Sequence, residues 1–272
     1  MGEKMQFKKF LASCSAATLM IAALAATDAN ADALADITRS GAIRIAVPQD
    51  FQPYGSVNSD MQLQGLDIDV AKLIAKSMGV KVELVPVASA NRIPYLQTHK
   101  VDLVISTLGR NAERDKVLDF SQPYAPFNNS VFGAADIKVS GPADLASQVV
   151  GVARGTFEDI QLTASVPPGA TIKRYEDNNT LISAYVSGQV RLIGTGDFVA
   201  ITLGEKDPAH KPVFKYVIQE SRCVVGLNKG EAPLQAKVND ILTKAKKSGE
   251  LNTLVKKWLN VPLPDKLANA YE

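Results

Sequence analysis

VDLVISTLGRNAERDKVLDFSQPY, residues Val101 to Tyr124, opens as a strand: Val101, Leu103 and Ile105 alternate, Val104 broadens the apolar run, and it ends in Ser106, Thr107, Leu108 and Gly109. A strand buried on both faces that runs into a small polar elbow presents backbone amides at the edge of a sheet, those of Thr107 and Gly109 among them. Asn111 then caps a predicted short helix over AERDKVL, whose free amides and positive dipole end face the same spot. Arg114 stands in that first turn, where its charge opposes the macrodipole. Two explanations are open: an incoming carboxylate gripped by the planar guanidinium, or a surface pairing with Glu113 or Asp115.

Outward from this stretch the same order of elements returns. RIPYLQTHKVDLVIST (Arg92–Thr107) and LISAYVSGQVRLIGTG (Leu181–Gly196) both read helix, turn, buried strand, polar elbow. Two copies of such a unit predict two α/β lobes, each with an elbow turned toward a shared cleft. Upstream, Leu34–Arg39 reads as a helix stopped near Gly41, AIRIAV (Ala42–Val47) as a strand, and Pro48–Gln64 as a loop. Ile68, Ala71, Ala75 and Met78 recur at helical spacing and Gly79 ends that helix; Asp67 and Asp69 at its start are either paired site carboxylates or acids favoured by the dipole. Ser89 is predicted to cap ANRIPYLQ, which makes Arg92 a second arginine at a helix start, facing a ligand or tethering two loops.

In the second copy, VVGVA is a strand and Gly155–Thr156 turns into a helix, where Thr156 is either a carboxylate cradle or an ordinary N-cap. Asp177 caps the next helix. Asp197 either caps DFVAITL or faces the cleft. Val213–Ile218 and Cys223–Leu227 read as two further strands, and crossings near Tyr124–Phe127 and Ser221–Val224 would form a hinge. Leu234, Val238, Ile241 and Ala245 mark a helix with a lysine-rich solvated face.

The 272 residues are 46% apolar and 21% charged, an ordinary globular balance, and a formal charge of +2 gives no electrostatic case for nucleic acid. Lys4, Lys8 and Lys9 precede an apolar run from Phe10 to Ala26 that ends in Ala29-Asn30-Ala31, so residues 1–31 read as a cleaved secretory signal peptide. Cys14 lies in that segment, which leaves Cys223 without a disulfide partner. His99 and His210 stand alone, so neither a metal nor another cofactor is expected.

With GLDIDVAKLIAKSMG (Gly65–Gly79) upstream and KKWL (Lys256–Leu259) near the end, the chain resembles periplasmic polar amino-acid-binding proteins of ABC importers, solute-binding family 3. The resemblance implies an α/β, two-lobed, type II-like periplasmic-binding-protein fold, each lobe a mixed sheet flanked by helices with the ligand cleft between them, lobe 1 over 32–126 plus 224–272 and lobe 2 over 127–223. It implies that Arg114 holds the ligand's α-carboxylate with donors at Thr107 and Gly109, that Phe51 lies over the ligand, and that Thr156 adds a carboxylate contact. SANRIPYLQ is similar to a subset that includes glutamate and aspartate binders, in which residues matching Ser89 and Arg92 touch the ligand. An inward Arg92 favours an acidic side chain, although Asp50 nearby can neutralise it and Pro48 stands where acidic-ligand relatives carry another arginine. One departure stands out. Many relatives place the acid that holds the ligand's ammonium group at the position of Gly196; here Asp197 serves only if it is displaced by one residue. The implied protein is a monomeric periplasmic receptor, not an enzyme, which hands a free polar amino acid to inner-membrane permease subunits. A cyclohexadienyl dehydratase-like enzyme and a sensor subunit for a membrane kinase are the alternatives.

Overall fold

The computed structural model describes residues 32–267; the predicted signal segment lies outside them. The first elements are α1 (Ala33–Ser40), β1 (Ala42–Val47), β2 (Asp50–Phe51), β3 (Gly55–Val57), β4 (Leu63–Gln64), α2 (Leu66–Met78), β5 (Lys81–Pro86), α3 (Arg92–Gln97), β6 (Leu103–Leu108), α4 (Ala112–Asp115) and β7 (Leu118–Phe120). They are followed by β8 (Ala125–Gly133), β9 (Val149–Ala153), α5 (Phe157–Ser165), β10 (Thr171–Tyr175), α6 (Asn178–Val186), β11 (Leu192–Gly196), α7 (Asp197–Lys206), β12 (Val213–Asn228), α8 (Ala232–Lys247) and α9 (Glu250–Leu259).

The main sheet runs β10-β9-β11-β8-β12-β6-β1-β5, with β7 paired to β12. Each half is mixed: β5, β1 and β6 are parallel, as are β10, β9 and β11, whereas β8 and β12 run antiparallel to their neighbours. The helix–strand repeat seen in the sequence is α3–β6 in one half and α6–β11 in the other, and both strands are buried along their length. One expectation is corrected. The strands predicted at Val213–Ile218 and Cys223–Leu227 are a single strand, because the polar Gln219–Arg222 between them is paired residue by residue with Asn129–Pro126 of β8, and cross-strand pairing outweighs local propensity. Along this strand the partner changes from β8 at Cys223 to β6 at Val224.

The largest core cluster packs α2, α8 and α9 on β1 and β6 through Ile45, Ile68, Ile74, Ile105, Leu234 and Leu251. Gly79 closes α2 in the left-handed conformation that favours glycine (φ 72°). The two acids at the start of α2 have separate tasks. Asp69 accepts from Trp258 Nε1 at 2.7 Å and Lys257 Nζ at 2.8 Å, docking the KKWL helix, while Asp67 points under the first elbow.

Candidate functional site

The first elbow is built on strain and a buried acid. Thr107 sits at φ 45°, rare for a residue with a β-branched side chain, and its N–H donates to Asp67 Oδ2 at 2.7 Å. Tyr124 Oη donates to the other Asp67 oxygen at 2.8 Å. Burial pushes the Asp67 carboxyl up to about 7 even though both hydrogen bonds and the nearby Arg92 charge act against the shift. The Thr107 amide, expected as a ligand donor, is therefore spent inside the protein, and the hydroxyl is what Thr107 has to offer.

Asn111 caps α4 as predicted, accepting from Arg114 N at 2.8 Å, although the helix covers only Ala112–Asp115. The surface explanation for Arg114 fails: Glu113 pairs with Lys116 at 2.7 Å and Asp115 with Arg110 at 2.6 Å. The guanidinium is buried instead. One terminal nitrogen donates to Gly109 O at 2.7 Å, the carbon stands 5.8 Å from the Phe157 ring centroid, and Nε is buried without a partner. Burial and the neighbouring Arg92 charge pull its pKa down to about 9, with Glu158 acting in the opposite direction.

Arg92 is a contrast. Its Nε donates to Ser89 O at 3.0 Å, one terminal nitrogen to Ser106 O at 2.7 Å and the other to Gly155 O at 3.3 Å, so the fork braces three backbone segments. Ser89 does not cap α3: it opens a short 3-10 turn, Asn91 precedes α3 without a side-chain bond, and Ser89 contributes its carbonyl to Arg92. Gly155 comes close beneath, where a Cβ would lie 2.8 Å from Ala90 Cα.

On the other half, Thr156 is the N-cap of α5, accepting from Asp159 N at 3.2 Å while donating to Ala153 O at 2.9 Å. Two residues on stands Glu158, which the sequence reading passed over. It is 3% exposed, and its Oε1 has no partner. Burial raises its pKa; its own amide, the Thr156 hydroxyl and the charges of Arg92 and Arg114 pull the other way. A glutamate in the first turn of a helix is accounted for by the dipole alone, so only its burial distinguishes it.

Asp197 is the first residue of α7 and not its cap, which is Gly196. Its carboxylate accepts from Ser130 Oγ at 2.5 Å and Asn128 Nδ2 at 3.0 Å, both on β8 of the same half. Phe51 is buried in an aromatic cluster with Tyr54 and Phe127, at centroid distances of 6.0 and 6.1 Å. Asp50 beside it accepts from Asn178 N at 2.8 Å, joining the loop after β1 to the start of α6. A cavity of about 590 Å³ opens between Gln49, Asp50 and Ala88 on one side and Asp177, Ser183 and Thr202 on the other; Arg114 is not among its lining residues.

The structure thus brings Arg114, Gly109, Arg92, Glu158 and Thr156 to the seam between the halves, with Phe51 in the adjoining aromatic cluster and Asp197 turned toward β8. The chain is similar to known proteins in sequence and, for solved structures, in fold. A glutamine-binding protein of an ABC transporter from Bacillus subtilis (strain 168) is 27% identical over 241 residues, covering 86% of this chain and 87% of the relative. An L-cystine-binding protein from Escherichia coli (strain K12) is 26% identical over 224 residues, covering 82% and 84%. Among solved structures, an ancestral amino acid-binding protein described as a precursor of cyclohexadienyl dehydratase superposes with a TM-score of 0.76 at 31% identity, covering 83% of this chain and 99% of its own. Residues 43–261 match the model of one family, and the chain belongs to the bacterial extracellular solute-binding proteins, family 3.

Proposed function

We propose that the protein is a periplasmic receptor that captures a free polar α-amino acid and delivers it to an ABC permease, acting as a monomer after removal of residues 1–31. The observation that carries the reading is Arg114: a buried guanidinium with one backbone bond and a bare Nε has donors left for a carboxylate, which it would hold in a bidentate grip. Names of relatives that bind glutamine and cystine support the ligand class.

Lobe 1 over 32–126 plus 224–272 would then close on lobe 2 over 127–223. The change of partner along β12, and the bond from Tyr124 N to Cys223 O at 2.9 Å, support a hinge at those crossings. A ligand that touches both lobes shifts the population toward closure, because only the closed form makes both sets of contacts.

The acidic preference rests on an Arg92 with an open fork, and three of its N–H groups already meet carbonyls while Glu158, Asp50 and Asp67 offset its charge. Neutral polar side chains are therefore equally well served. Calorimetry against glutamine, glutamate, aspartate, arginine, histidine and cystine is expected to give tight binding to at least one, and mass spectrometry of co-purified ligand to name it. A dehydratase-like enzyme is favoured by one observation, the acid Glu158 at the seam, and by the likeness to a dehydratase precursor. Turnover of prephenate or arogenate, with no amino acid bound, would replace the receptor reading.

A further inference from the structure

We propose that Glu158, and not Asp197, holds the ammonium group of the bound amino acid; this rests on the receptor reading of the same site. In this chain the position of Gly196 has no room for an acid as Phe127 and Phe51 are packed. A Cβ there would lie 2.6 and 2.7 Å from two ring atoms of Phe127 and 3.5 Å from Phe51, so the aromatic cluster occupies the space that a carboxylate stem needs. Displacement by one residue does not restore the anchor. Both oxygens of Asp197 accept side-chain hydrogen bonds from β8, and those bonds aim the carboxylate at its own half.

Glu158 has the opposite status. Its carboxylate is buried, one oxygen lacks a donor, and among the described residues no ion pair within 4.0 Å joins it to Arg92 or Arg114. A buried carboxylate is costly unless donors meet its lone pairs, and protein donors leave Oε1 bare. The glutamate stem is seated on β11 at Gly194, where a Cβ would come within 3.1 Å of Glu158 Cβ. That glycine makes room for the side chain.

The bare groups are complementary. Arg114 on α4 has an unused donor, Glu158 on α5 an unused acceptor, and the two stand on opposite halves with Phe157 beside the guanidinium. A zwitterion satisfies both at once, its carboxylate on Arg114 and its ammonium on Glu158, and so links the halves. A carboxylate ligand without the amine satisfies only the first.

The test uses the amino acid that the wild-type protein binds most tightly in the panel above and the des-amino carboxylic acid of the same side chain, which has no donor at that position, with calorimetry on the full mature protein. Glu158→Gln is expected to weaken the amino acid at least 100-fold while changing the des-amino acid by less than threefold. Asp197→Asn is expected to cost the amino acid less than fivefold and to lower the ligand-free melting temperature. If Glu158→Gln loses its melting transition, Glu158→Asp replaces it, with an expected loss of at least tenfold confined to the amino acid. Equal losses for both ligands, or a larger loss in Asp197→Asn than in the Glu158 variant, overturn the proposal while the receptor reading stands. A wild-type protein that binds no amino acid overturns both.

Discussion

Arg114 and Arg92 begin alike and end differently. Each stands at the start of a short helix, each is buried, and burial lowers the pKa of each. Arg92 reaches three carbonyls from three separate segments, Ser89, Ser106 and Gly155, and so ties loops together. Arg114 reaches one carbonyl and keeps Nε bare. A buried cation whose donors are spent is a brace, whereas one whose donors are unspent has bonds left to make, which is what the proposed carboxylate would use. Helix position and residue type do not separate the two; the count of acceptors within reach does.

The contrast is sharpest in the variants of Arg114. Arg114→Ala is expected to weaken every ligand by roughly 2 to 5 kcal/mol, about thirty-fold to several-thousand-fold in calorimetry, because a desolvated carboxylate loses its partner. Arg114→Lys also binds poorly, since an ammonium keeps the charge and lacks the fork. Near-normal affinity in the alanine variant would make Arg114 a second brace and end the contrast.

Arg92→Ala is expected to act mainly on stability. It removes donors from three carbonyls, and the loss in unfolding free energy is on the order of 3 kcal/mol, about 1 kcal/mol for each acceptor left unpaired. Denaturant unfolding of the ligand-free protein measures it. A variant that melts normally but loses its ligand would place Arg92 with Arg114.

The effect that is smallest at any one step, because it is spread over about three pH units, concerns Asp67, which holds the elbow that both arginines border. Its folded pKa of about 7 lies above the ordinary carboxylate value, so between roughly pH 4 and pH 7 the folded state binds more protons than the unfolded state. Its contribution to stability is thus present below pH 4 and is lost as pH rises toward 7, by about 1 kcal/mol per pH unit. Asp67→Asn is expected to flatten that slope in unfolding measurements between pH 4 and 7. An unchanged slope would mean that Asp67 is ionised throughout.

Much of this molecule was legible as sequence. Alternation at Leu103 and Ile105, helical spacing from Ile68 to Met78, the Gly79 stop and the Asn111, Thr156 and Asp177 caps are local signals, set by side-chain periodicity and by backbone groups within four residues. The repeated helix–strand–elbow unit likewise announced two α/β halves, and KKWL a docked terminal helix. Tertiary structure decided the rest, because what remains depends on contacts between residues far apart in the chain. Gln219–Arg222 looks like a break and is a strand only because β8 lies beside it. Thr107 loses its amide to Asp67, forty residues away, and Asp197 is drawn to Ser130 and Asn128 on another strand. Glu158 carries no signal in the sequence beyond its place in the first turn of a helix, and only its burial shows an oxygen with nothing to bond. Sequence names the groups and their local geometry; which donors and acceptors are left over is known only once every distant partner has been placed.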